Sequence, residues 1–314
     1  MRTGEAFRKI VLILAYALIL FVFSERLFWA FWRPEDSFPE AISTFSFYFV
    51  LACAFLVISF RARVVSVSGL VLVGLVYAYL TEGVVAGIFY DPVALFVALP
   101  WHILMSIFLG LFVLPRFLST ASLLKRIFVL IIGGVTYAVW VIGMIFEYGD
   151  TVTLERFMLN IFGSTLLLAC GYALSLAISK KIVTFSLREM QVLGGIFVIY
   201  LFLTYGVTAF PPFLVLILLL VFVLNRLKKI ESSEIASDKR ENVNVLKIPS
   251  FTVGNYFLLF LVPIISSFIV AFAVAMNLRI ETAFIFVITL FCGAIYLLAK
   301  TFFRHPTIHR SKRS

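Results

Sequence analysis

Charge is scarce in this sequence. Of 314 residues, 13% are Asp, Glu, Lys or Arg, against 63% that are hydrophobic. A single soluble core cannot hide that much apolar surface, so the shortage excludes a soluble globular protein. Cysteine occurs three times, at Cys53, Cys170 and Cys292, each alone in a separate apolar stretch. That spacing gives no disulfide framework and no CxxC metal site, and it leaves the three as small packing residues. GxxxxGK[ST], GxGxxG after a strand and HExxH are all missing. No soluble segment exceeds the 26 residues of 225–250. These absences argue against an ATPase, a nucleotide-dependent enzyme and a receptor with a folded output domain, and they imply no cofactor and no metal. Glutamine occurs once, at Gln191, and low Gln and Cys usage accords with a heat-adapted prokaryote.

What the chain has in quantity is long apolar runs, about 18 residues or more, repeated from end to end. Runs of this length are helical spans, since barrel strands are about ten residues long and alternate polar with apolar. The expected fold is an all-α polytopic bundle of about ten spans: 9–31, 41–60, 64–82, 93–115, 124–146, 157–179, 190–208, 211–226, 251–275 and 281–302. Residues 1–226 read as an eight-span membrane domain, 227–250 as a mobile cytoplasmic polar linker, 251–303 as a C-terminal hairpin and 304–314 as a basic tail. Arg2, Arg8 and Lys9 precede the first run as in a secretory signal, but no small-residue cleavage site follows, which suggests an uncleaved anchor.

With the N-terminus inside, alternate loops carry 22 of the 26 Lys and Arg residues on one side. The other side holds only Arg26, Arg33, Arg156 and Arg279. The asymmetry predicts both termini cytoplasmic in a plasma-membrane protein. It also accounts for the net charge of +10 as basic rims facing anionic headgroups, so membrane lipids are the expected partners and nucleic acid is not. Ten acidic residues lie on or near the outer side, among them Glu25, Asp36, Glu82, Asp91 and Glu147.

The stretch LTEGVVAGIFYDPVALFVALPWH (80–102) places Glu82 and His102 inside otherwise continuous hydrocarbon. An ionisable group there costs about 3 kcal/mol by insertion scales and is a functional candidate by default. Counting about 1.5 Å per residue, Glu82 lies near the outer edge of its span and His102 near mid-membrane. Gly83, Gly87 and Pro100 offer helix breaks that could bring the two together if 82–92 dips back into the protein. The expected cluster is Glu25, Arg26, Glu82, His102, Glu147, Arg156 and Asn160, with Arg26 neutralising Glu82 or Glu25. Duller roles stand beside this: Glu25 and Arg26 snorkelling, Glu82 as a helix end, His102 as structure, and Gly83/Gly87 as a close-packing pair.

GLVLVGLVYAYLTEGVVAGIFYDPVALFVALPWHILMSIFLG, with SERLFWAFWRPE upstream, resembles a segment of prokaryotic multi-pass membrane proteins that have no assigned activity. The resemblance covers about the first 115 residues and implies that the TEG and WH elements belong together. The chain is only distantly similar to CPBP-type intramembrane glutamic proteases, which combine a double Glu and Arg with FxxxH and HxxxN. Here Thr81-Glu82 replaces the double Glu, no Arg follows in the next turn, and His305 and His309 lie in the tail.

Three functional readings follow. A transporter or lipid-handling permease for a small solute or lipid would couple protons or cations through Glu82 with His102. A membrane-complex scaffold would use the cluster only to pin helices. An intramembrane enzyme would use Glu82 and His102 as acid and base.

Overall fold

The computed structural model describes residues 3–178, 185–205, 210–236, 245–278 and 280–303. Among them every regular element is a helix, and nine helices are long and apolar enough to cross a bilayer. The chain is therefore an all-α, multi-pass integral membrane protein. The spans are α1 (Gly4–Trp29), α2 (Phe38–Arg61), α3 (Val67–Val85), α4 (Pro92–Thr120), α5 (Leu123–Thr151), α6 (Leu154–Ile178), α8 (Phe210–Ala236, crossing with Phe210–Glu231), α9 (Val253–Ala275) and α10 (Ala283–Phe302). Helix α7 (Leu187–Tyr205) stands where the span 190–208 was expected; residues 206–209 lie outside the described residues, as do 237–244 of the linker and the tail 304–314.

Local chemistry sets the helix starts. Ser37 caps α2 in a reciprocal box with Glu40, with Pro39 in the first turn where its missing N–H has no helical partner to lose. Asp91 caps α4 by accepting from the N–H groups of Val93 and Ala94 at 3.1 and 3.0 Å, and Pro92 opens that helix in the same way. Gly87, at φ 71°, reverses the chain after α3, a left-handed conformation that costs glycine little. Ala30 takes φ 66° with no such freedom. It is fully buried at the end of α1, where packing holds a conformation that an L-residue otherwise avoids.

Helix α3 is the axis of the bundle. Before its last turns it has no strongly polar face, and it is almost wholly buried, as such a helix must be. Helices α2, α4, α8 and α10 pack around it. Helix α1 lies between α2 and α6. Large apolar side chains face outward on α5, α8, α9 and α10, as expected where lipid rather than water is the solvent.

Two expectations need correction. The last two spans do not form a separate hairpin: α9 packs chiefly on α5 and α6, and α10 on α3 and α4. Nor is 227–250 simply a mobile linker, because α8 continues to Ala236 and Val245 and Ile248 are buried in the main core. Leu246 and Lys247 give their carbonyls to Tyr16 and Arg116.

Glu231 carries much of this attachment. Its carboxylate accepts from the backbone of Val65 and Ser66 at 3.3 and 3.4 Å and from the Ser66 hydroxyl at 2.7 Å, sealing the start of α3. A carboxylate there also suits the positive end of the helix dipole. Glu231→Ala is expected to cost about 2 kcal/mol, the scale of buried hydrogen bonds to a charged group. Thermal unfolding in detergent measures it; an unchanged midpoint would show the junction to be incidental.

Candidate functional site

Three spans depart from α-helical winding, and the departures coincide with the polar residues. Val22–Arg26 of α1, Leu80–Val85 of α3 and His102–Val113 of α4 are π-helical. A π turn inserts an extra residue and re-aims side chains, and such turns concentrate at functional sites. The three carry Ser24, Glu25 and Arg26; Glu82; and His102 with Ser106.

Backbone carbonyls in or beside these widened turns are taken up by side-chain donors. The Trp101 indole donates to Phe23 at 2.7 Å, Asn160 Nδ2 to Arg26 at 2.7 Å, Tyr172 to Gly110 at 2.7 Å and the Thr81 hydroxyl to Tyr77 at 2.8 Å. This is how irregular backbone is tolerated at membrane depth. A Cβ on Gly110 would meet the Phe23 ring at 2.6 Å, so the ring from the widened turn of α1 packs directly on the α4 backbone.

Glu82 Oε1 is hydrogen-bonded to His102 Nε2. Across the ring, His102 Nδ1 stands 3.3 Å from Ser106 Oγ. Ser24 donates to Ser106 at 2.8 Å and shares a 2.8 Å hydrogen bond with the Tyr77 hydroxyl. With Ser24 filling one acceptor site on Ser106, the arrangement in which Ser106 donates to Nδ1 and the ring proton on Nε2 faces Glu82 satisfies every member of the chain. Tyr77, Ser24, Ser106, His102 and Glu82 thus form one chain of hydrogen bonds with a consistent donor direction. His102 and Ser106 are buried, whereas Glu82 is half-buried.

Glu82 lines a cavity of about 350 Å³ together with Ser24, Glu25, Arg33, Tyr48 and Trp29. Glu82, at one end of the relay, and Ser24, within it, therefore reach the same cavity. Arg33 bonds Glu25 at 3.3 Å and Asp36 at 2.8 Å, and Tyr48 donates to Glu25 at 3.3 Å. The Arg33 guanidinium also lies 4.6 Å from the centre of the Trp29 ring. Beside the cavity wall Arg26 pairs with Asp36 at 2.8 Å, both side chains 5% exposed, with the Trp32 ring 4.4 Å from the guanidinium.

Of the residues expected to cluster, Glu25, Arg26, Glu82, His102 and Asn160 come together. Glu147 is exposed and Arg156 turns to the carbonyl of Thr151 at 3.1 Å, so neither joins them; both sit at helix ends facing away from the polar interior. Among the described residues the ion pair of Arg26 is with Asp36, which reaches it from the loop 30–37, and not with Glu82 or Glu25. The segment after Glu82 does not dip inward: Ala86, Gly87 and Tyr90 are exposed. The break is at Gly87 alone. Gly83 lies within the π turn against the Tyr79 ring, and Pro100 sits in a continuous helix just before the π segment of α4. Although a count of helical rise puts Glu82 and His102 at different depths, the two side chains meet in a direct hydrogen bond. Arg33, Asp36, Tyr77 and Ser106 were not singled out; RPED following the aromatic belt was the available signal for the first two.

Among the described residues no three His, Cys, Asp or Glu side chains converge as a metal site. Asp36, in the loop, has a carboxyl that burial would push up, but the Arg33 and Arg26 guanidinium groups outweigh burial and hold it below the usual range. A folded value below the unfolded one stabilises the protein above about pH 4, and that contribution is lost as pH falls through the folded value. The stability gap between wild type and Asp36→Asn should therefore narrow as pH falls below about 4, read as unfolding midpoints across a pH series. A gap unchanged down to pH 3 would contradict the ion-pair account. No family model, curated protein or solved structure matches the chain.

Proposed function

We propose that the protein is a lipid-handling permease that admits an amphipathic molecule from the outer leaflet and exchanges a proton with it through Glu82 and His102. The supporting observation is the Glu82–His102 hydrogen bond at the edge of a cavity lined by the widened turns of α1 and α3 together with α2. That bond joins α3 to α4, so a change in its protonation alters a contact between helices. Widened turns beside it give the backbone slack to respond. The cavity suits an amphipathic guest: Phe28, Trp29 and Phe47 form apolar walls, and Glu25 with Arg33 forms a polar rim. The charge asymmetry of the loops supports placing that rim at the outer face, with both termini cytoplasmic in the plasma membrane.

The test is redistribution of fluorescent phospholipid and long-chain alcohol analogues across proteoliposome membranes, with and without an imposed pH gradient. Gradient-dependent redistribution by wild type but not Glu82→Gln is expected. Rates equal to protein-free vesicles would overturn the reading. A second reading, acid–base catalysis on a membrane lipid, is favoured by the direct contact of the pair and its continuation through Ser106. It predicts a change in lipid mass or deuterium content after incubation in heavy water, which a permease does not produce.

A further inference from the structure

On the far side of Arg26 from this cavity, a second hollow of about 450 Å³ opens between α1, α2 and α6. Its walls include Phe21, Phe45, Leu159 and Leu167, and its margin carries the exposed side chains of Phe38 and Leu159. It therefore faces the hydrocarbon. In its wall stands Asn160, 2% exposed. The amide Nδ2 is spent on the Arg26 carbonyl, which requires a donor and so fixes the amide orientation. Its Oδ1 has no hydrogen-bond partner. One turn further along α6, the Ser164 hydroxyl lines the same hollow and makes no hydrogen bond among the described residues.

A buried acceptor without a partner costs free energy; Asn160 lines the groove, Oδ1 itself is covered in this structure, and a small turn of the side chain would open it to a guest. We propose that this groove binds a neutral lipid bearing a free hydroxyl, such as a long-chain alcohol, whose hydroxyl donates to Asn160 Oδ1 and accepts from Ser164. The groove takes the hydrocarbon chain. The head is neutral because the one cation in the wall, Arg26, is already balanced by Asp36; a phosphate would find no free positive charge. A hydroxyl supplies both the donor and the acceptor that the two groups need, whereas an ester or ether supplies only an acceptor. The site is separate from the Glu82 cavity and does not depend on the proposed transport.

Gly163 makes the proposal testable. It lines the groove, and a Cβ added there meets nothing within 4 Å, so the side chain of Gly163→Leu starts into open groove. The experiment titrates hexadecanol and hexadecyl methyl ether into the protein in phosphatidylcholine nanodiscs and follows the unfolding midpoint. For wild type, the alcohol should act at about tenfold lower concentration than the ether, the scale of one hydrogen bond to a buried acceptor. Gly163→Leu should lose the response to both compounds, and the volume-preserving Ser164→Ala should reduce the preference for the alcohol. Equal potency of alcohol and ether on wild type overturns the proposal, as does a preference that survives Gly163→Leu. Should Gly163→Leu lack a cooperative transition, an alcohol preference unchanged in Ser164→Ala overturns it instead.

Discussion

Asp36→Ala is expected to lower stability by about 3–5 kcal/mol, because it leaves the Arg26 guanidinium buried without a carboxylate. Both side chains are 5% exposed, and Asp36 is the only acidic side chain bonded to Arg26 among the described residues. The Trp32 and Phe21 rings, at 4.4 and 5.1 Å, contribute on the scale of about 1–2 kcal/mol and cannot replace the pair. Glu25→Ala should cost less, since Arg33 keeps Asp36 and is 21% exposed. The double variant Arg26→Met with Asp36→Leu separates the pair's net worth from the penalty of breaking it. If the pair roughly breaks even with apolar side chains, the double variant recovers most of the loss. Equilibrium unfolding in mixed micelles gives all four values. A single-variant loss below 1 kcal/mol would mean that water reaches Arg26.

Much of the fold was legible because hydrocarbon thickness dictates helix length. Nine of the ten expected spans have counterparts among the crossing helices, and the seventh coincides with α7. What composition could not give was the neighbour of each helix. In lipid, apolar faces look alike, so nothing in the sequence of α9 or α10 distinguishes packing on each other from packing on α5 or α3. The candidate site was legible through cost: Glu82 and His102 were conspicuous because charge at depth is expensive. Asp36 was missed as a partner of Arg26 because a loop acid ten residues away reads as solvated. The return of the loop depends on Ala30 in a left-handed conformation that no residue type announces. The π turns were also hidden, since an extra residue in a helix leaves no compositional mark. An assumed α-helical rise placed Glu82 and His102 at different depths.

Glu82→Gln should lower pH-driven lipid redistribution about a hundredfold, the lower end of what a positioned proton-transfer group contributes, while moving the unfolding midpoint by only a few degrees. The amide keeps the length of the carboxylate, and its carbonyl oxygen can still accept from His102 Nε2. What it lacks is the capacity to take and release a proton. His102→Gln breaks the same relay from the other side but also removes the partner of Ser106, so it should lose both redistribution and stability. The pair of variants separates the readings. A permease or an enzyme predicts that Glu82→Gln is folded and inactive. A scaffold predicts that it behaves as wild type, because its interhelical hydrogen bond survives. Redistribution by Glu82→Gln within twofold of wild type would remove Glu82 as the proton-carrying group and leave the Glu82–His102 contact as a link that holds α3 against α4.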